Sequence, residues 1–308
     1  MKIIFMGTPE FAVASLDALL QAKQEVVAVV TAPDKPAGRG RQLSQSAVKE
    51  FALQKKLPVL QPEKLKNPEF LQELESFKAD LQVVVAFRML PEMVWKMPSK
   101  GTINLHASLL PQYRGAAPIN WAVINGEKQT GVSTFFLKQE IDTGDLILTD
   151  QTSILETDTA GNVHDKLMVI GAKLLVKTVA MIESGNYQEV SQKDLIKNEE
   201  VIELKHAPKI FKEDCQINWA QPVEKVYDFI RGLSPYPTAF THLNNKVLKV
   251  FWAEKQETNP GISAGAFLTD HKTFLKFACT DGFINLKEVQ LEGKKRMKVD
   301  EFLRGIKL

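Results

Sequence analysis

Cysteine is scarce in this chain: only Cys215 and Cys279 occur in 308 residues. They lie far apart, form no C-x-x-C pair and have no histidine at ligand spacing, which argues against a cysteine metal site. Both read as buried small apolar residues. Long hydrophobic runs are missing too. Nothing approaches the ~20 apolar residues that span a bilayer, and Met1 to Phe5 leads straight into a strand pattern rather than a signal sequence. The expectation is a cytoplasmic protein with no membrane partner. Neither G-x-G-x-x-G nor G-x-x-x-x-G-K-[ST] is present, which disfavours dinucleotide and nucleoside triphosphate binding. An overall charge of one sign is also lacking, the net value being +2. That balance conceals an asymmetry: residues 206–308 hold 16 Lys and Arg against 12 Asp and Glu. An excess of this size makes any single lysine an ordinary solvated side chain, while the group permits contact with a phosphate backbone.

What is present reads as two domains. A length of 308 residues exceeds one ordinary core, and 44% hydrophobic with 25% charged residues fits a globular protein. Lys2 to Met6, Glu25 to Thr31 and Leu81 to Ala86 are buried-strand patterns, with helical spacing over Phe11 to Leu20 and Val48 to Lys56 between them. Alternating strands and helices predict an α/β, doubly wound, mostly parallel Rossmann-like sheet. Its ligand should lie beyond the carboxyl ends of the strands, near Gly7, Pro33, Phe87 and His106. Gly7 and Pro9 allow either a tight turn or a ligand role. A long helix is expected after a cap at Asp158 or Thr159, with Val163, Leu167, Ile170, Leu174 and Leu175 on one face and His164 and Asp165 solvated. The polar segment 186–205 reads as a linker between a catalytic domain, 1–185, and a smaller domain, 206–308. The latter has a helix over Pro222 to Arg231 and hairpin signals at Asn244-Asn245 and Asp281-Gly282. Those predict a small β-barrel of the oligonucleotide-binding (OB-like) type.

Three stretches carry candidate chemistry. Thr102 to His106 looks like a strand, so Asn104 and His106 share a face and form a plausible clamp for a carbonyl oxygen. Glu140 to Asp145 is a short acidic turn, either capped by its own side chains or supplying a carboxylate that fixes the tautomer of His106. Pro33 to Arg41 is a basic loop punctuated by glycine and proline, either mobile or closing over a polyanion. The segment Gly293 to Arg296 leaves two readings open, a polar hairpin tip or a phosphate contact.

Four strings then carry a resemblance over the whole chain. They are F-M-G-T-P-E-F-A at Phe5 to Ala12, P-A-G-R-G-R at Pro36 to Arg41, N-L-H-A-S-L-L-P-Q-Y-R-G-A-A-P-I at Asn104 to Ile119, and D-T-G-D at Asp142 to Asp145. The chain resembles the folate-dependent formyltransferases, whose members share the central string and the acidic turn. The resemblance implies 10-formyltetrahydrofolate as co-substrate, no metal, and Asn104, His106 and Asp142 as the catalytic trio. It further implies a pterin wall from Phe87, Arg88, Met89 and Leu90 with Ile141 and Asp145, joined by Ser108, Leu109 and Pro111. Where many relatives have a tyrosine-glycine pair, this chain reads Ala86-Phe87-Arg88. Arg88 therefore lies in that wall by position alone, free to face solvent or the glutamate tail of folate. With the basic segments, the resemblance implies an initiator methionyl-tRNA partner, held by Lys35, Arg39 and Arg41 and by Lys246, Lys249, Lys294, Lys295, Arg296 and Lys298. A monomer is implied. Sugar-nucleotide N-formyl transfer and hydrolysis of formyltetrahydrofolate share the core chemistry, and a non-catalytic tRNA-binding protein is the alternative from another class.

Overall fold

In the computed structural model, which describes residues 1–37, 42–198 and 203–306, the first apolar run becomes strand β1 (Lys2–Gly7). Helix α1 (Glu10–Gln21), strand β2 (Glu25–Val30), helix α2 (Ala47–Gln54) and strand β3 (Val59–Leu60) follow. Then come helix α3 (Pro68–Ser76) and strands β4 (Leu81–Val85) and β5 (Thr102–His106). Helix α4 (Pro118–Ile124) precedes strands β6 (Gln129–Phe136) and β7 (Leu146–Ser153). The sheet runs β7-β6-β5-β4-β1-β2-β3. Pairs β1–β2, β1–β4, β2–β3 and β4–β5 are parallel and β5–β6 is antiparallel. Strand β1 is buried at consecutive positions from Ile3 to Met6, because helices cover both faces of a parallel sheet. Each such fully buried side chain contributes roughly 2 kcal/mol of burial free energy.

The order reverses between β1 and β4, which places a ligand crevice beyond their carboxyl ends. The two strands approach closely there. A Cβ on Gly7 would lie 2.6 Å from Ala12 Cβ and 2.9 Å from Val85 O, so Gly7 answers to packing. Helix α5 (Ala160–Ser184) is capped at Thr159 rather than Asp158: Thr159 Oγ1 accepts from Asn162 N at 3.2 Å, and Asn162 Oδ1 accepts from Thr159 N at 2.9 Å. Val163, Leu167, Leu174 and Leu175 are buried on its core face, Ile170 and His164 are half-buried, and Asp165 is exposed.

The segment expected to be a linker is structured through residue 198. Val190 bridges to Leu146, Tyr187 packs on Phe136 with ring centroids 5.8 Å apart, and helix α6 (Gln192–Asn198) follows. Its hydrophilic sequence hid this, because its apolar contacts are few, chiefly Tyr187 and Leu195, and the rest are a backbone bridge and one buried amide.

The chain divides into two compact units: Met1–Arg114, Gly131–Thr152 and Asp165–Lys205 form one, and Gly115–Thr130, Ser153–His164 and His206–Leu308 the other. The second unit holds helix α7 (Val223–Gly232) and strands β8 (Ala239–Leu243), β9 (Lys246–Glu257), β10 (Phe267–Thr269), β11 (Leu275–Ala278) and β12 (Gly282–Leu291). They pair as an antiparallel half-barrel in the order β8-β9-β12-β11-β10. Asn244 and Asn245 turn the β8–β9 hairpin at φ +49° and +61°, the left-handed pair that asparagine tolerates best after glycine. Cys215 and Cys279 sit in its core at 1% exposure, and burial pushes the Cys279 thiol up to about 12. Helix α7 also buries an ion pair, Arg231 Nε to Asp228 Oδ1 at 2.7 Å, and Arg231 Nη1 donates to Asp158 O at 2.9 Å. Among the described residues no helix is long and apolar enough to cross a membrane.

Candidate functional site

Strand β5 places the first two site residues. Asn104 pairs with Val84 on one side and Phe135 on the other, and His106 lies opposite Ser133 at the strand's carboxyl end. A two-residue step keeps both side chains on one face. Asn104 is half-buried, and among the described residues its amide has no hydrogen-bond partner. His106 is 7% exposed.

The turn after β5 fixes the imidazole. Ser108 Oγ donates to Gln112 O at 2.7 Å, Ser133 Oγ donates to Ser108 O at 2.7 Å, and Leu110 N donates to Ser133 Oγ at 3.1 Å. Tyr113, at φ +59°, donates its N–H to Lys205 O at 2.7 Å and points its own carbonyl at His106. The Nε2 of His106 lies 2.9 Å from that oxygen. A carbonyl only accepts, so Nε2 carries a hydrogen and Nδ1 is the ring atom whose proton can come and go.

Nδ1 faces Asp142, with Oδ2 at 3.8 Å. That separation suits an ion pair and closes to a hydrogen bond with about 1 Å of movement, as catalytic contacts do on ligand binding. The acidic turn is tightly specified. Asp142 has φ +55°, and a Cβ on Gly144 would fall 1.6 Å from Phe136 O, so only glycine fits. Thr143 Oγ1 donates to Glu140 O at 3.0 Å, and Lys138 pairs with Asp145 at 2.6 Å. Arg114 is half-buried near this turn. Burial lowers its pKa, and the charges of Asp142 and Glu140 act in the opposite direction.

The residues assigned to the pterin wall divide by exposure. Ala86 leaves β4 at φ +47°, and among the described residues no backbone N–H from Phe87 to Leu90 is bonded within the protein. Met89 and Ile141 are exposed at 72% and 58%, apolar side chains presented on loops. Phe87 is half-buried and Leu90 belongs to the core. Arg88 is exposed, and its guanidinium donates to Glu63 O at 2.9 Å and to Pro62 O, bracing that loop. Ser108 is fully buried with its hydroxyl used by the turn. Leu109 packs where a Cβ on Gly131 would meet it at 2.5 Å, and Pro111 is half-buried.

The candidate cations differ from one another. Lys35 is exposed, on a short strand Lys35–Ala37 paired with Gln42–Ser44, and Arg39 and Arg41 lie outside the described residues. The base of that ribbon is clamped, with Asp34 accepting from Lys49 Nζ at 2.5 Å and from Gln61 Nε2 at 2.7 Å. Lys246, Lys294, Lys295 and Lys298 are exposed and Lys249 is half-buried. Arg296 is engaged, 2.6 Å from Glu288 and 4.2 Å from the centre of the Phe251 ring. Among the described residues no group of three or more His, Cys, Asp and Glu side chains is arranged to hold a metal.

Sequence reasoning missed Gln192, Tyr113 and Arg114 as parts of the site. Gln192 carries no local signal, and the other two act through the backbone or a remote amide.

Residues 1–179 match the family model described as formyl transferase, and residues 209–307 match that of the formyl transferase C-terminal domain. The chain is similar to the methionyl-tRNA formyltransferase of Bacteroides fragilis, 55% identical over 100% of this chain and 96% of the relative. It is 49% identical to that of Flavobacterium johnsoniae, over 99% and 96%. Among solved structures, an N-formyltransferase from Helicobacter canadensis, in complex with folinic acid and dTDP-3-aminofucose, aligns with a TM-score of 0.66. Its identity is 19%, over 94% of this chain and 99% of that one, a likeness of fold.

Proposed function

We infer the activity from one premise: the chain belongs to the formyl transferase family, in both its domains. The reaction proposed is transfer of a formyl group from N10 of 10-formyltetrahydrofolate to the free α-amine of methionine esterified to initiator tRNA, in the cytoplasm. Full-length relatives named for that reaction support the acceptor. The observation that carries the chemistry is the setting of His106, anchored through Nε2 on the Tyr113 carbonyl with Nδ1 turned to Asp142, on the strand face it shares with Asn104.

The chemistry needs no enzyme nucleophile. A neutral amine nitrogen attacks the formyl carbon, its C=O electrons move to oxygen, and collapse of the tetrahedral intermediate breaks the bond to N10. The amine loses one proton and N10 gains one. Asn104 donates to the developing oxyanion, and protonated His106 stabilises it from Nδ1. Asp142 supports the cationic imidazole and passes the amine's proton towards N10. The exposed Met89 and Ile141 with the N–H groups of Phe87 to Leu90, unbonded among the described residues, suit an aromatic ring with polar edges, as the pterin of the co-substrate requires. Arg88, held on Pro62 and Glu63, shapes that wall from behind.

Asn104→Ala and His106→Ala are expected to lower kcat by ~10² to 10³, the usual cost of one oxyanion donor, with folate binding and melting temperature retained. Single-turnover transfer of labelled formyl, alongside folate fluorescence titration, measures both. Near wild-type turnover in either variant would refute the assignment.

A further inference from the structure

Gln192 opens helix α6 and is 1% exposed. Its amide is saturated. Nε2 donates to Asp142 O at 2.9 Å and to Gly144 O at 2.8 Å, while Oε1 accepts from Arg114 Nε at 3.0 Å and Nη2 at 2.6 Å. Two donors and two acceptor positions are all that a carboxamide has, so its orientation is fixed by partners at both ends. The partners on the donor side are the carbonyls that flank Thr143, in a turn whose backbone is held at φ +55° at Asp142 and admits no Cβ at Gly144. Two carbonyls converging on one point repel unless a donor stands between them, and the NH2 group is that donor. Without it the bond from Thr143 to Glu140 and the Lys138–Asp145 pair remain, but the two carbonyls lose the donor between them and the carboxylate of Asp142 is free to move away from His106.

We propose that Gln192 is a positioning residue for formyl transfer: its amide ties the Asp142 turn to Arg114 and so holds the Asp142 carboxylate against Nδ1 of His106. The inference rests on the reading of the site given above. Gln192 has no hydrogen bond to the imidazole or to the Asp142 carboxylate, so its effect on chemistry passes through what it holds, the backbone of the turn and the Arg114 guanidinium.

The substitution that separates its two ends is Gln192→Glu, which keeps an acceptor for Arg114 but turns an oxygen on the two carbonyls. Gln192→Met, of similar shape, removes both sets of bonds and serves as the second variant. Hydrogen exchange on the folded variants is expected to show faster exchange at the amides of residues 141–145, with β1 and β4 unchanged. In single-turnover assays with the acceptor that the wild type uses, Gln192→Glu should lower the rate about 10- to 100-fold, the scale of a 1 Å misplacement. The acceptor KM should stay within about 2-fold, as expected for an interaction expressed in the transition state. In an Asp142→Asn background the same substitution should cost less than about 3-fold, because residues that act as a unit are not additive. Wild-type exchange at the turn, or an undiminished penalty in the Asp142→Asn background, would overturn the proposal. A wild type that fails to formylate methionyl-tRNA would sink the functional reading instead, and the exchange experiment, which needs no substrate, would still decide the part played by Gln192.

Discussion

The two nitrogens of His106 have different surroundings: Nε2 meets a backbone carbonyl at 2.9 Å, and Nδ1 meets a carboxylate at 3.8 Å. Amide side chains can imitate either edge, since asparagine places its NH2 near the Nδ1 position and glutamine near Nε2. His106→Asn should therefore keep part of the oxyanion stabilisation, while His106→Gln satisfies Tyr113 and presents no donor at the Nδ1 position. The expected order of kcat is wild type, then His106→Asn, then His106→Gln, with about 10-fold between the two variants, a fraction of one full donor. Steady-state rates at saturating co-substrates decide it, and a reversed order would mean that Nε2 is the reacting edge. That Asn104 and His106 share a face and that a carboxylate of the acidic turn faces the imidazole was legible in sequence, from strand periodicity and a short acidic turn; their catalytic roles rest on the family resemblance. Gln192 was not legible. Its bonds reach backbone carbonyls 50 and 48 residues away, which no local pattern encodes. Arg88 was legible only as a departure, because its partners are again carbonyls, at Pro62 and Glu63.

At the scale of elements, the ribbon after β2 shows how one charged contact holds the base of a loop. Asp34 lies below its ordinary pKa, first through the bond from Lys49 and then through that from Gln61. A depressed carboxyl stabilises the folded state above its ordinary value and loses that contribution as pH falls through the lower folded value. Asp34→Asn should thus be less stable than wild type near pH 6. The gap should narrow as pH drops below the usual carboxylate range of ~3.9. Urea midpoints across that range test the sign, and a gap that widened in acid would contradict the clamp. Strands and helices of the first sheet were readable because burial on both faces leaves continuous apolar runs. The structured stretch 187–198 escaped notice because Gln192, Tyr187 and Val190 are spaced without period and their partners lie far away in sequence.

For the whole molecule, charge bears on the acceptor. Residues 206–308 carry the cationic excess, and Lys246, Lys294, Lys295 and Lys298 are exposed there, whereas Arg296 is taken up by Glu288 and Phe251. Binding of tRNA should weaken steeply with salt. Replacing Lys294 and Lys295 together by alanine should reduce the slope of log K against log salt by roughly 2, one unit for each lost phosphate contact. Arg296→Ala should change that slope little. Filter binding over a salt series separates these outcomes, and equal slopes for all three proteins would remove the lysines from the interface. The central claim concerns where the formyl group goes. Labelled 10-formyltetrahydrofolate offered with methionyl initiator tRNA, elongator methionyl-tRNA, a dTDP-linked amino sugar and water in one reaction measures that directly. The account predicts label on the methionine of initiator tRNA, with no formate released when acceptor is withheld; label on the amino sugar, or formate formed equally fast without acceptor, would contradict it.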